Sequence, residues 1–384
     1  MHIAWLGKKS PFCGNVTYGR EVTNTLLDRG HKVSFLHFSQ EDNPEDNWGD
    51  CSEVFLPFLY KSQVYTIPTP RSSKVLTQAL QEFKPDLVHA SLTLSPLDFL
   101  LPEICEELNL PLVATFHPPF DSKLRNLKSS TQFLTYQLYA PFLANYDRVI
   151  VFSQLQRNLL IKLGVPPQKL IVIPNGVDID KYSPGTSTLK YRYQAQRLFV
   201  YLGRIATEKN VEALLKAWER TEMGIGNNKL LIIGDGPLKS SLQATYSAEK
   251  GIFWLGFVAD EQKRIEILRA ADAFILPSLV EGLSLSLLEA MSCGVAVIAT
   301  DAGADGEVID KGAGIVLNTQ GVTSQLKTLL PILRDHPEIT QLLGKKARAR
   351  VLDRYTLSQN ISRLELLYAE MLQENRHPAI IQLK

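Results

Sequence analysis

Cysteine is scarce in this 384-residue chain, and the four present (Cys13, Cys51, Cys105 and Cys293) form no C-x-x-C pair. That excludes a disulfide framework and a cysteine zinc site, and the thiols read as small buried hydrophobes. No apolar run reaches the roughly 18 residues of a transmembrane helix. No low-complexity tract appears, which argues for a folded protein. The first residues, Met1-His2-Ile3-Ala4-Trp5-Leu6-Gly7, lack a basic leader and read as a strand rather than a signal peptide, so a cytoplasmic protein is expected. Neither half opens its first strand into G-x-G-x-x-G, which disfavours a nicotinamide dehydrogenase. The only D-x-D, Asp178-Ile179-Asp180, sits among turn formers, and no metal-ligand cluster is visible; no metal is expected.

An excess of one charge is missing too: the formal net charge is +1, which speaks against nucleic-acid binding. The balance hides a local bias. Residues 112–175 hold seven basic side chains against Asp121 and Asp147, and residues 54–81 hold Lys61, Arg71 and Lys74 with no acid. The first half therefore carries a basic surface.

What is present is alternation. The chain exceeds the roughly 250 residues at which single cores stop growing, so two domains are expected. Strand-like runs (His2 to Leu6, Lys32 to His37, Asp86 to His89, Leu112 to Thr115, Arg148 to Phe152, Leu170 to Ile173) alternate with amphipathic segments such as Tyr18 to Asp28 and Leu97 to Leu108. Turn formers from Pro174 to Thr188 break the pattern. A second series follows at Leu198 to Leu202, Lys229 to Ile233, Ile252 to Leu255, Ala273 to Leu276 and Val295 to Ala299. The expected architecture is α/β, with two doubly wound, Rossmann-like domains over 1–184 and 185–384. The helical pattern from Leu342 to Gln373 is long enough to cross back to the first domain.

Candidate chemistry sits just beyond strand ends. Gly7 to Thr17 joins a strand to a helix around Gly14, where amides and the helix dipole can receive an anion. In Gly203-Arg204-Ile205-Ala206-Thr207-Glu208-Lys209, a guanidinium and an ammonium follow a strand's carboxyl end and suit a diphosphate. Gly234-Asp235-Gly236-Pro237 reads as a tight turn. In Leu276 to Met291 a strand ends at Pro277, a loop holds Glu281 and Gly282, and a helix beginning near Leu283 and Ser284 carries Glu289. The amides of Gly282, Leu283 and Ser284 are placed for a phosphate, and Glu289 for ribose hydroxyls. His117, past the strand Leu112 to Thr115, is either a structural histidine or an active-site one.

Taken together these motifs resemble the retaining glycosyltransferases of family four. The resemblance rests on the Gly14 loop, Asp86-Leu87-Val88-His89, Thr115-Phe116-His117, Ile173 to Asp178, Gly203-Arg204 with Lys209, Gly234 to Pro237, and Glu281 with Glu289. It implies a GT-B fold, two such domains facing a central cleft, and a nucleotide-sugar donor on the C-terminal half. It further implies that Arg204 and Lys209 bind the diphosphate, Glu289 the ribose and Glu281 the donor sugar, with His117 near that sugar. Cys13 and Asn15 flank a single Gly14 where the family often has two adjacent glycines.

A narrower resemblance, in Gly7 to Tyr18, Tyr60 to Pro68 and His89 to Asp98, is to the cyanobacterial digalactosyldiacylglycerol synthases. It implies UDP-galactose as donor, monogalactosyldiacylglycerol as acceptor, no cofactor, and peripheral association with a membrane such as the thylakoid. Lys123, Arg125 and Lys128 lie among Leu124, Leu127, Phe133, Leu134, Tyr136, Leu138 and Tyr139, a pattern that suits either an anionic lipid surface or a helix packed inward. A family-four transferase with another acceptor, and a non-catalytic nucleotide-sugar-binding module, are the competing readings.

Overall fold

A computed structural model describes residues 1–10, 13–38, 48–62, 65–121 and 127–376, excepting the side chains of 127–129, 131 and 376. Lys123 and Arg125, and the side chain of Lys128, lie outside the described residues. The chain forms two compact units. One comprises Met1–His117, Thr135–Asn175 and Ser358–Lys384, the other Pro118–Leu134 and Gly176–Leu357.

The first unit is built on β1 (His2–Gly7), α1 (Gly14–Asp28), β2 (Lys32–His37), β3 (Ser52–Phe55), β4 (Phe58–Lys61), β5 (Thr66–Pro68) and α2 (Ser72–Phe83). It continues with β6 (Leu87–Ser91), α3 (Leu97–Glu107), β7 (Leu112–Thr115), α4 (Leu127–Leu143), β8 (Arg148–Val151), α5 (Gln154–Lys162) and β9 (Leu170–Val172). Seven parallel strands lie in the order β3-β2-β1-β6-β7-β8-β9. Helices cover both faces, so β1 and β6 are buried along nearly their whole length, with Ile3, Ala4, Trp5, Leu87 and Val88 sealed from solvent. β4 and β5 form a separate antiparallel hairpin.

The second unit contains α6 (Leu189–Arg192), β10 (Arg197–Leu202), α7 (Val211–Arg220), β11 (Asn228–Ile233), α8 (Lys239–Thr245), β12 (Ile252–Gly256) and α9 (Glu261–Ala270). Then come β13 (Ala273–Leu276), α10 (Leu285–Ser292), β14 (Ala296–Thr300), α11 (Asp305–Ile309), β15 (Ile315–Leu317), α12 (Val322–Asp335) and α13 (Pro337–Arg354). Its six strands are parallel, in the order β12-β11-β10-β13-β14-β15. Strand order reverses at β1/β6 in one sheet and at β10/β13 in the other, and the crevice beyond the carboxyl ends at such a switch is where open α/β sheets bind ligands.

The helical stretch expected from Leu342 to Gln373 is two helices, α13 and α14 (Leu357–Arg376). They part at Tyr355 and Thr356 because Val177 inserts there: its N–H donates to the Tyr355 carbonyl and its carbonyl accepts from Leu357, both at 2.9 Å. These bonds satisfy backbone groups that the break leaves without helical partners. α14 packs in the first unit, with Tyr368 fully buried against His89 and Glu365 2.6 Å from Arg29. α4 buries Tyr136, Tyr139, Ala140 and Leu143 and exposes Leu134 and Leu138, so the inward-packing reading accounts for its aromatic face. Among the described residues no helix is long and apolar enough to cross a membrane.

Candidate active site

Beyond β10, the loop that carries the two cations is fixed from below. The buried Tyr201 hydroxyl donates to the Arg204 carbonyl at 2.8 Å. The Asp235 loop presses on the same segment. A Cβ on Gly234 (φ +134°) would lie 1.9 Å from the Gly203 oxygen, and one on Gly236 (φ +156°) 2.4 Å from the Ile205 oxygen. Both glycines therefore serve close backbone approach, in keeping with a tight turn there. The side chain of Asn210, which is left-handed at φ +51°, donates to the Pro277 carbonyl at 3.2 Å and ties this loop to the end of β13.

Each cation already has a carboxylate partner. Arg204 pairs with Glu208 and Lys209 with Glu281. The second pair is the more buried, and Ser278 Oγ donates to the same Glu281 oxygen at 2.8 Å. Sequence reasoning brought Arg204, Lys209 and Glu281 to one site but missed Glu208 and Ser278. Glu208 stands in the same short loop, at the i+4 position from Arg204.

The Glu281–Gly282 loop is held on two sides. Phe120 bridges it, its N–H donating to the Glu281 carbonyl at 2.8 Å. On the other side Gly303 (φ +57°) packs so closely that a Cβ would lie 2.0 Å from the Glu281 oxygen, and Ala304 N–H donates to the Gly282 carbonyl at 2.8 Å. Asp305 Oδ1 accepts the Ser284 N–H at 2.9 Å, while Oδ2 is buried without a hydrogen-bond partner among the described residues. Burial first, and the Glu281 charge second, raise the Asp305 carboxyl well above the usual carboxylate range. No local pattern points to Gly303 or Asp305, which reach the site only through the fold.

Ser284 caps α10, its Oγ accepting from Leu287 N–H at 3.3 Å. Its own N–H is thus committed to Asp305, and the Ser284 amide is not an open donor of the kind sequence reasoning assigned to a phosphate. Glu289 lies on α10 and is buried; burial first, and the Glu289 charge second, raise both the Tyr182 phenol and the Cys293 thiol.

In the first unit, His117 follows β7 at the same carboxyl edge. Asn15 is oriented by its side-chain N–H to the Leu92 carbonyl at 3.1 Å, so its Oδ1 accepts the Ser91 hydroxyl proton at 2.8 Å. Ser91 has no second proton to give. His117 Nε2–H must therefore donate to Ser91 Oγ across their 2.8 Å contact, leaving Nδ1 as the acceptor. Tyr18 and Phe152 flank the ring at 4.9 and 5.2 Å between centroids. Burial, then the Lys8 ammonium, push His117 down to about 3, so it is neutral. Gly14 is the first residue of α1, and the space where its side chain would project is open.

Among the described residues no group of three His, Cys, Asp or Glu is placed to hold a metal ion.

Two parallel Rossmann-like units, each with its polar residues gathered at a topological switch, define a GT-B glycosyltransferase. Residues 14–181 match the model of Glycosyltransferase Family 4 and residues 190–350 that of Glycosyl transferases group 1, and the chain belongs to this group of glycosyltransferases. It is 27% identical over 354 residues to UDP-Gal:alpha-D-GlcNAc-diphosphoundecaprenol alpha-1,3-galactosyltransferase of Escherichia coli, covering 87% of this chain and 88% of that one. It is 25% identical over 303 residues to alpha-monoglucosyldiacylglycerol synthase of Streptococcus pneumoniae, covering 74% and 67%. The crystal structure of Anabaena HepE in complex with UDP-glucose aligns with a TM-score of 0.78 at 18% identity, over 96% of this chain and 100% of that one.

Proposed function

We propose that this glycosyltransferase moves galactose from UDP-galactose to monogalactosyldiacylglycerol with retention, giving an α-linked digalactosyl lipid at a membrane surface. The observation that carries the donor half is the pairing of Arg204 and Lys209 with carboxylates at the β10/β13 switch. A diphosphate competes there with Glu208 and Glu281 for the two cations. As it draws Lys209 away, Glu281 becomes an acceptor for sugar hydroxyls. The C1–O bond to the β-phosphate breaks with its electrons going to the phosphate oxygen, where Arg204, Lys209 and the Gly282 and Leu283 amides stabilise the charge. The acceptor hydroxyl attacks the same face of the sugar, and its proton passes to the departing phosphate.

His117, neutral and with Nδ1 facing outward from its Ser91 bond, serves as a hydrogen-bond acceptor beside the sugar; a group that binds its proton only near pH 3 is a poor base. Glu289 is read as the ribose ligand and Gly14 as a backbone contact to the donor phosphates. Arg204 and Lys209 supply the charge that a metal would otherwise supply, so turnover is expected without one. The Streptococcus relative, named for a diacylglycerol product, supports a lipid acceptor, and the resemblance in Tyr60 to Pro68 supports the galactolipid. A second reading, a sugar carried on a polyprenyl diphosphate, is favoured by the longer match to the Escherichia coli enzyme.

The test is incubation with UDP-galactose or UDP-glucose and monogalactosyldiacylglycerol in detergent micelles, with mass spectrometry of the lipid and NMR of the new anomeric proton. An α-linked digalactosyl lipid from UDP-galactose supports the proposal. UDP release with a polyprenyl-diphosphate acceptor alone would replace it with the second reading.

A further inference from the structure

The β4–β5 hairpin stands outside both large sheets and turns apolar side chains to solvent. Leu59 is 71% exposed, Tyr60 49%, Tyr65 45% and Ile67 40%, and the two tyrosine rings lie 5.6 Å apart. The register shifts between Phe58 and Tyr60, so Leu59 stands at a break in the regular pairing of the strand and is the most exposed of the four. A two-stranded hairpin has little stability of its own, and clustered exposure of this kind marks an interaction surface. The chain holds the hairpin beside its turn, where Thr66, paired with Lys61, is buried and donates its N–H to the Leu94 carbonyl.

A second irregularity adjoins it. Three residues after β5, helix α2 starts with Arg71 at its N-cap and Lys74 in its first turn, both exposed, with no acid in that turn. Cations at a helix N-terminus oppose the macrodipole. Residues 54–81 contain no acidic side chain to offset them.

We infer that the β4–β5 hairpin, with Arg71 and Lys74, docks on the surface of an anionic lipid bilayer. Tyrosines sit at the headgroup level with one end apolar and the other wet, Leu59 and Ile67 enter the acyl boundary, and the two cations meet lipid phosphates. Both irregularities are then resolved by one partner: the apolar side chains leave water and the misplaced cations gain counter-charges. The inference rests on the reading of the acceptor as a membrane lipid, and it assigns the surface contact to this hairpin.

Flotation of the full chain with vesicles of phosphatidylcholine, alone or mixed with phosphatidylglycerol, tests it. The wild type is expected to float with the anionic vesicles. Arg71→Gln with Lys74→Gln should lower that partition roughly 25-fold, since each cation near such a surface is worth about a fivefold change. Leu59→Ser with Ile67→Ser should remove it. Leu366→Ser, at an exposed position on α14, should leave it unchanged. Turnover in detergent micelles, expected to be intact in all variants, controls for folding. Hairpin or cation variants that float like the wild type, a wild type that floats with neither vesicle, or a wild-type dimer that Leu59→Ser with Ile67→Ser dissolves would each overturn the inference. A wild type that floats but makes no lipid product would instead sink the acceptor reading and leave the hairpin assignment standing.

Discussion

Lys209, Glu281, Ser278 and Asp305 form one coupled cluster, tied by an ion pair, a hydrogen bond and the field of the Glu281 charge. Replacing Lys209 by Ala leaves Glu281 buried without its counter-ion, a defect on the order of 3 kcal/mol, whereas Lys209→Ala with Glu281→Gln removes both charges. The double variant should therefore melt above the single one while remaining as inactive; denaturant unfolding and product assays check this. Glu281→Gln alone should lower kcat about 100-fold or more while UDP affinity, read by calorimetry, rises, because the diphosphate no longer competes with a Glu281 carboxylate for Lys209. His117 gives a prediction of the opposite kind. Its folded value near 3 lies below the ordinary 6.5, so the unfolded chain binds the extra proton and stability falls as pH drops from about 6.5 toward 3. His89, buried and also held near 3, acts in the same direction. His117→Asn should shrink the loss of Tm between neutral and acidic buffer, and the wild-type pH–rate profile should show no histidine ionisation between pH 6 and 7.

At the scale of elements, the central strands were legible because burial on both faces forces near-continuous apolar runs such as Leu198 to Leu202 and Ala273 to Leu276. β3, β4, β5 and β15 were not, since they are only three or four residues long and partly exposed. The α13–α14 break was hidden for another reason: it depends on Val177, far away in sequence. The site divides in the same way. Arg204, Lys209 and Glu281 lie just past strand ends and could be read from position, whereas Gly303, Asp305, Ser91 and Asn15 act through contacts that only folding creates. Gly303→Ala tests how much the Glu281 loop depends on its neighbour. The left-handed backbone alone costs about 1–2 kcal/mol, and the Cβ has nowhere to go, so a Tm drop and loss of turnover are expected together. Ser284→Ala, which removes the α10 cap together with a 3.0 Å hydrogen bond to Ser286 Oγ, should cost about 1 kcal/mol.

Over the whole molecule, the two units divide the work by chemistry: paired cations and carboxylates in one, neutral hydrogen-bonding groups around His117 and the exposed hairpin in the other. Turnover on detergent-dispersed acceptor is expected to survive chelation of divalent metals, measured as UDP release with and without EDTA, because Arg204 and Lys209 carry the compensating charge. Turnover on vesicles should fall with rising salt more steeply than turnover in micelles, as counter-ions screen Arg71 and Lys74.

The first unit draws its strands from the early part of the chain but closes over Tyr368 and Leu367, which come from α14. The strands of the first unit therefore cannot complete their core until a helix that follows the whole second unit in sequence has docked, which ties the folding of one unit to a segment on the far side of the other.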